Sequence, residues 1–196
     1  ADTIHVTRRN YSRFFIYAVV DTYSRLGYAE YQPRITQAAS VLVVKKAVDY
    51  FGFPFKTVQT DNGSEFKTGF AYQLGYQYIE VRHSRVRKPN DNAHVEQKNW
   101  THVRQLFGYD RFEDKLLISK MNSLYEKEWS LFQNYFCPTM KLKEKTRKNS
   151  RYQKKYFSPQ TPYQRLLDSN ALDENTKEKL TEQYKRLDPF QLKAKI

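Results

Sequence analysis

The first third of the chain falls into short runs rich in β-branched and aromatic residues: "ADTIHV" (1–6), "FFIYAVVD" (14–21) and "YAEYQP" (28–33). They are parted by the polar breaks "TRRNYSR" and "TYSRLG". Such runs predict strands, and short links between them predict an antiparallel meander. The spacing then turns helical in "TQAASVLVVKKAVDYFG", with Val41, Val44, Val48 and Phe51 on one side, Thr36 as N-cap and Gly52 as stop. "KTVQT" (56–60) follows that helix and is expected to join the sheet in parallel. Beyond it the pattern predicts a short helix over 68–74, a strand "YQYIEV" (76–81), a basic loop "RHSRVRKPNDN" (82–92) and a helix from Ala93 to about Phe107. A long helix follows from Phe112 to about Tyr135, burying Leu117, Met121, Leu124, Trp129 and Leu131.

The last third changes character. "KLKEKTRKNSRYQKKYF" (141–157) holds eight Lys or Arg against one Glu, interleaved with Tyr152 and Tyr156, and has no core periodicity. It reads as an extended basic arm. "TPYQRLLDS" and "DENTKEKLTEQYKRL" read as short amphipathic helices, the second with Leu180, Tyr184 and Leu187 along one face. The expected organisation is an α/β core over 1–135, a mixed sheet flanked by helices, and a basic, mostly helical extension over 136–196.

Charge narrows the class of partner. Lys+Arg 34 against Asp+Glu 21 gives a formal net charge of +13, which points to a polyanion, nucleic acid first. No apolar run approaches the ~20 residues of a membrane span and no signal-like segment opens the chain, so a cytoplasmic protein is expected. Opening on Ala1 rather than Met suits a fragment, from which an upstream domain would be missing. The single Cys137 excludes an internal disulfide and argues against a cysteine zinc site. His5, His83, His94 and His102 are scattered and read as ordinary polar residues.

The candidate chemistry lies in the acids. Asp2 falls in the first strand, Asp61 ends the fourth in "TVQTDNGSEF", and Glu96 opens a helix after the basic loop. Asn-Gly after alternating residues is also a hairpin signal, but "SEFKTGFAYQLG" reads as a loop and helix rather than a returning strand. Carboxylates from separate elements suit hard Mg²⁺ or Mn²⁺ ions, which in pairs catalyse phosphodiester chemistry.

"ADT", "TDNGSEF" and "PNDNAHVEQKN", in this order among these elements, resemble the catalytic core of retroviral integrases and bacterial insertion-sequence DDE transposases. The resemblance covers about Ala1 to Phe107, with "TDNGSEF" and "VEQKN" its most specific parts. It implies a ribonuclease H-like mixed five-stranded sheet, its first three strands antiparallel, with Asp2, Asp61 and Glu96 as catalytic and metal-binding residues for two Mg²⁺ or Mn²⁺ ions. Thirty-four residues intervene between Asp61 and Glu96, one fewer than in the retroviral pattern. Asp21, in "VVDTYSR", is the rival first acid and is read instead as a turn cap, with Glu65 and Asp91 assigned to turn and loop.

The implied activity is hydrolysis at element ends followed by 3′-OH strand transfer into target DNA, by a homo-multimer on paired ends, in a bacterial, nucleoid-associated setting. A ribonuclease H-like nuclease or resolvase, and a transposase-derived DNA-binding protein, are the alternatives. Expected DNA contacts are Arg85, Arg87 and Lys88 in the loop, Lys98, Asn99 and Arg104 on the following helix, and Lys145, Arg147, Lys148, Arg151, Lys154 and Lys155 in the arm.

Overall fold

A computed structural model describes residues 1–5, 15–85, 91, 93–108, 112 and 114–196. Strands β1 (Asp2–His5), β2 (Phe15–Val20) and β3 (Gly27–Gln32) form an antiparallel sheet in the order β1-β2-β3, with Asp2 opposite Ala18. Helix α1 (Gln37–Phe51) leads into β4 (Thr57–Thr60), which pairs in parallel with β5 (Glu80–His83) across α2 (Thr68–Gly75). Among the described residues the two sheets are separate ladders rather than one five-stranded sheet. They meet where the Ala1 amino group donates to the Gln59 carbonyl at 2.5 Å.

β2 is the centre of the core because alternate side chains leave it in opposite directions. Tyr17 and Val19 pack with Val41 and Val44 of α1, Phe70 and Leu74 of α2, and Val58. Ile16 packs the other way, with Ala29, Tyr31, Val103, Met121, Tyr125 and Trp129. Sequence-expected caps hold α1: Thr36 Oγ1 accepts from the Ala39 amide at 3.1 Å, and Gly52 ends the helix at φ +74°, where a side chain would be strained.

The strand expected over 76–81 starts later, at Glu80, because 76–78 is spent closing α2. The Gln77 and Tyr78 amides donate back to Leu74 and Gly75, and Tyr78 sits at φ +57° with its ring in solvent. The helix after the basic loop runs as α3 (Ala93–Lys98), a π-helical segment (Asn99–Arg104) and α4 (Gln105–Phe107). The long helix expected from Phe112 comprises α5 (Leu117–Leu124), a second π segment (Tyr125–Trp129) and α6 (Ser130–Phe136). The two π segments are joined: His102 O of the first accepts from both Tyr125 Oη (2.6 Å) and Trp129 Nε1 (2.8 Å) of the second.

Two asparagines cover the outer edge of β3. Asn122 of α5 brackets Tyr31, accepting from its amide (2.7 Å) and donating to its carbonyl (3.0 Å), and Asn134 of α6 does the same at Gly27 (2.9 and 2.8 Å). Each side chain stands in for a neighbouring strand.

The expected extended arm is instead a two-stranded antiparallel ribbon, β6 (Leu142–Lys148) and β7 (Arg151–Tyr156), turned at Asn149 with φ +55°. Local cross-strand pairing explains it, since the segment lacks core contacts and is exposed at every position. Helices α7 (Pro162–Leu167) and α8 (Glu174–Arg186) match the two expected amphipathic segments, and a third, α9 (Pro189–Lys195), is added. They pack back on the core: the rings of Tyr163 and Tyr184 stack at 4.8 Å, and Tyr135 joins them.

Candidate active site

Asp61 is the first residue beyond β4, and its Oδ1 accepts the Gly63 amide at 2.9 Å, which turns the chain sharply off the sheet. Asn62 Nδ2 pins the same turn to the Ser84 carbonyl at 3.0 Å, just past β5. Gly63 is required by close approach: a Cβ there would lie 2.6 Å from Glu65 Oε2 and 3.0 Å from Asp61 Oδ1. Glu65 is buried in the 3₁₀ turn Ser64–Phe66 and accepts from Thr3 Oγ1, so the turn carrying Asp61 is bound to the strand carrying Asp2.

Asp2 opens β1. Its Oδ1 accepts the Thr3 amide at 2.8 Å and its Oδ2 accepts Asn99 Nδ2 at 2.8 Å. Burial raises its pKa, and the negative charge of nearby Asp61 adds to the rise, while the Thr3 and Asn99 hydrogen bonds oppose it.

Glu96 lies in α3, one turn before Asn99, and is exposed. Among the described residues no three His, Cys, Asp or Glu side chains gather closely enough to cage a metal; Asp61 acts on Asp2 by its charge, and Glu96 is not among the groups that do. The helix instead turns Val95 and Lys98 inward and directs Asn99 at Asp2. The oxygens present nevertheless fit a hard divalent cation. The Asp61 carboxylate is near enough for its charge to act on Asp2, and Asn99 Oδ1 is buried with no hydrogen-bond partner among the described residues.

The expected DNA contacts divide. Lys98 is corrected: it is 5% exposed, and burial lowers its pKa to about 7, so its ammonium faces the interior and not a phosphate. Asn99 is half-buried and spends its amide on Asp2. Arg104 donates to the Gly108 carbonyl at the end of its own helix. Arg85 is exposed and makes a forked pair with Asp91 (2.9 and 3.0 Å) that draws together the two ends of the loop. Arg87 and Lys88 lie outside the described residues. Lys145, Arg147, Lys148, Arg151, Lys154 and Lys155 are all exposed on the ribbon. Asp21 is a turn cap, as expected: its Oδ2 accepts the Ser24 amide (2.7 Å) and hydroxyl (2.6 Å). The Thr3–Glu65 tie has no signature in the sequence spacing, because it joins residues 62 positions apart.

The antiparallel three-stranded sheet, the parallel pair and the flanking helices are the fold of retroviral integrase catalytic cores. The chain is similar to the integrase catalytic core domain of HTLV-2 solved in complex with magnesium (trimeric form), with TM-score 0.50 and 19% identity over 69% of this chain and 82% of that one. The BIV integrase catalytic core gives TM-score 0.51 and 15% identity over 85% and 92%. A chain of the simian T-cell lymphotropic virus intasome in complex with the PP2A regulatory subunit B56 gamma gives 0.52 and 19% over 69% and 47%. In sequence the chain is 34% identical over 154 residues to the uncharacterised protein y4rM of Sinorhizobium fredii (strain NBRC 101917 / NGR234). That match takes in 77% of this chain but only 44% of the relative's length. No protein-family model matches.

Proposed function

We propose that the chain is the catalytic region of a DDE-type DNA transposase or integrase, which cuts a phosphodiester at an element's end and joins the freed 3′-hydroxyl to target DNA. The observation that carries this reading is the convergence of Asp2 and Asp61, joined through Asn99 to the helix bearing Glu96, within an integrase-core fold. Asp2, Asp61 and Glu96 would hold Mg²⁺ or Mn²⁺, whose Lewis acidity favours in-line displacement at phosphorus. Asp2 is oriented by Thr3 and Asn99, and Asp61 by the Gly63 amide, so the carboxylates are set before substrate arrives. The excess of Lys and Arg favours DNA as the bound polyanion, and assembly on paired ends calls for more than one copy of the chain.

The test is a strand-joining assay with pre-cut element ends and a target plasmid in Mg²⁺ or Mn²⁺. Asp61→Asn, Asp2→Asn and Glu96→Gln should each abolish joining, whereas Asp21→Asn should spare it. Cleavage without joining would make the protein a nuclease and overturn the reading. Unchanged joining in the three acid variants would do the same.

A further inference from the structure

We infer that the β6–β7 ribbon is a DNA-groove element that works through one of its two faces. This deepens the proposed function, because it assumes that DNA is the partner. It does not depend on the chemistry at Asp2 and Asp61.

Register assigns the faces. Lys145 is opposite Lys154 and Arg147 opposite Tyr152, so these four side chains leave the ribbon on the same side. Tyr156, two residues beyond Lys154, shares it, and Lys145 Nζ lies 4.3 Å from the centre of the Tyr152 ring. Leu142, opposite Tyr156, lies on it too; beyond the register irregularity that takes up Lys143, its cations are Lys145, Arg147 and Lys154, and it has no acid. The other face pairs Glu144 with Lys155 in a salt bridge of 3.2 Å, then Thr146 with Gln153 and Lys148 with Arg151.

A hairpin standing free of a core is marginal, and like charges directly opposite each other weaken it further. Here two cross-strand pairs, Lys145–Lys154 and Lys148–Arg151, set cation against cation, with every residue of both strands exposed. A polyanion removes that repulsion. The dimensions also suit a groove: seven residues of strand extend about 23 Å, and two strands about 4.8 Å apart with their side chains fit a B-DNA major groove about 12 Å wide.

The ribbon's base is held firmly. The Phe157 amide donates to the Lys141 carbonyl at 2.9 Å, Lys141 Nζ donates to the Tyr23 carbonyl at 2.9 Å, and the buried Arg165 donates to the Ser24 carbonyl at 3.1 Å and to Thr139 Oγ1 at 2.6 Å. The tip therefore projects from an anchor on the β2–β3 turn, with the acid-free face turned to enter DNA.

The test compares two charge-matched triple variants in the Asp61→Asn chain, with EDTA present, by anisotropy of a fluorescein-labelled DNA duplex across a salt series. Lys145→Ala/Arg147→Ala/Lys154→Ala should weaken binding by about tenfold or more and lower the slope of log K against log salt by about three. Lys148→Ala/Arg151→Ala/Lys155→Ala should cost less than a third of that. The DNA duplex should also bind more tightly than an RNA duplex of equal length, whose deep, narrow major groove excludes a ribbon. Equal losses in the two triples, no loss in either, or equal affinity for the two duplexes overturns the inference. Because no strand is cut in this assay, failure of joining with binding intact counts against the catalytic reading and leaves the ribbon assignment standing.

Discussion

Asn99 Nδ2 donates to Asp2 Oδ2 at 2.8 Å, linking the helix that follows the basic loop to the first strand of the sheet. The bond makes Asn99 a positioning residue for Asp2. Asn99→Leu should lower strand joining by at least tenfold and leave DNA affinity unchanged, at a stability cost of about 1 kcal/mol for the lost hydrogen bond. Parallel joining, anisotropy and thermal-unfolding measurements check this, and undiminished joining would show that Asp2 is oriented without Asn99.

The second tie runs from Thr3 to Glu65. Glu65→Gln retains an acceptor for the Thr3 hydroxyl and should keep most activity, whereas Thr3→Val strands a buried carboxylate and should reduce both stability and joining. Gly63→Ala should be worse than either, because its Cβ would come within 2.6 Å of Glu65 Oε2 and press on the turn that holds Asp61. A cost of about 1–3 kcal/mol is expected for such overpacking, read from urea midpoints. A midpoint equal to wild type would mean that Glu65 swings clear.

Lys98 separates a helix-surface reading from the folded one. As a DNA contact it would weaken binding when replaced. As an ammonium buried by the fold, with Cys137 easing that burial and the charges of Arg165 and Arg25 adding to its cost, it opposes folding. Lys98→Met should therefore raise the melting temperature and leave DNA affinity and its salt dependence unchanged. A drop in affinity with unaltered stability would restore Lys98 to the surface role.

Much of this could be read from the chain. Thr36 and Gly52 delimit α1 because capping is local chemistry, and "TDNGSEF" announces a sharp exit from β4 because the Asp and Asn side chains bond to nearby backbone and Gly63 leaves room. What was illegible depends on partners distant in sequence. Lys98 looks solvent-facing beside Glu96, yet the fold buries it, within reach of the charges of Cys137 and Arg165, which lie 39 and 67 positions further on. Asn122 and Asn134 look like ordinary polar helix residues, yet they close the edge of β3 across 91 and 107 positions. The ribbon is illegible because its sequence has no apolar alternation, only pairing across a turn.

His102 shows how a residue read as ordinary can set the acid stability of the fold. Its ring is 1% exposed, with Nε2 unpartnered among the described residues and aimed at Gly27, while its carbonyl is held by Tyr125 and Trp129. Burial, with the charge of Lys98 as a second cause, drives its pKa well below the usual value. Below about pH 6.5 the unfolded chain takes up a proton at this imidazole that the folded chain refuses. Stability is therefore full above that pH and falls as the solution is acidified, by at most about 1.4 kcal/mol per pH unit from this group. In His102→Met, with a flexible side chain to fill the space, the difference in urea midpoint between about pH 7 and about pH 5 should shrink relative to wild type. Gly27→Ala should destabilise the protein at both pH values, since its Cβ would lie 2.5 Å from Nε2 in a ring with no room to retreat. An identical pH response in wild type and His102→Met would mean that the imidazole reaches solvent and charges in the folded state.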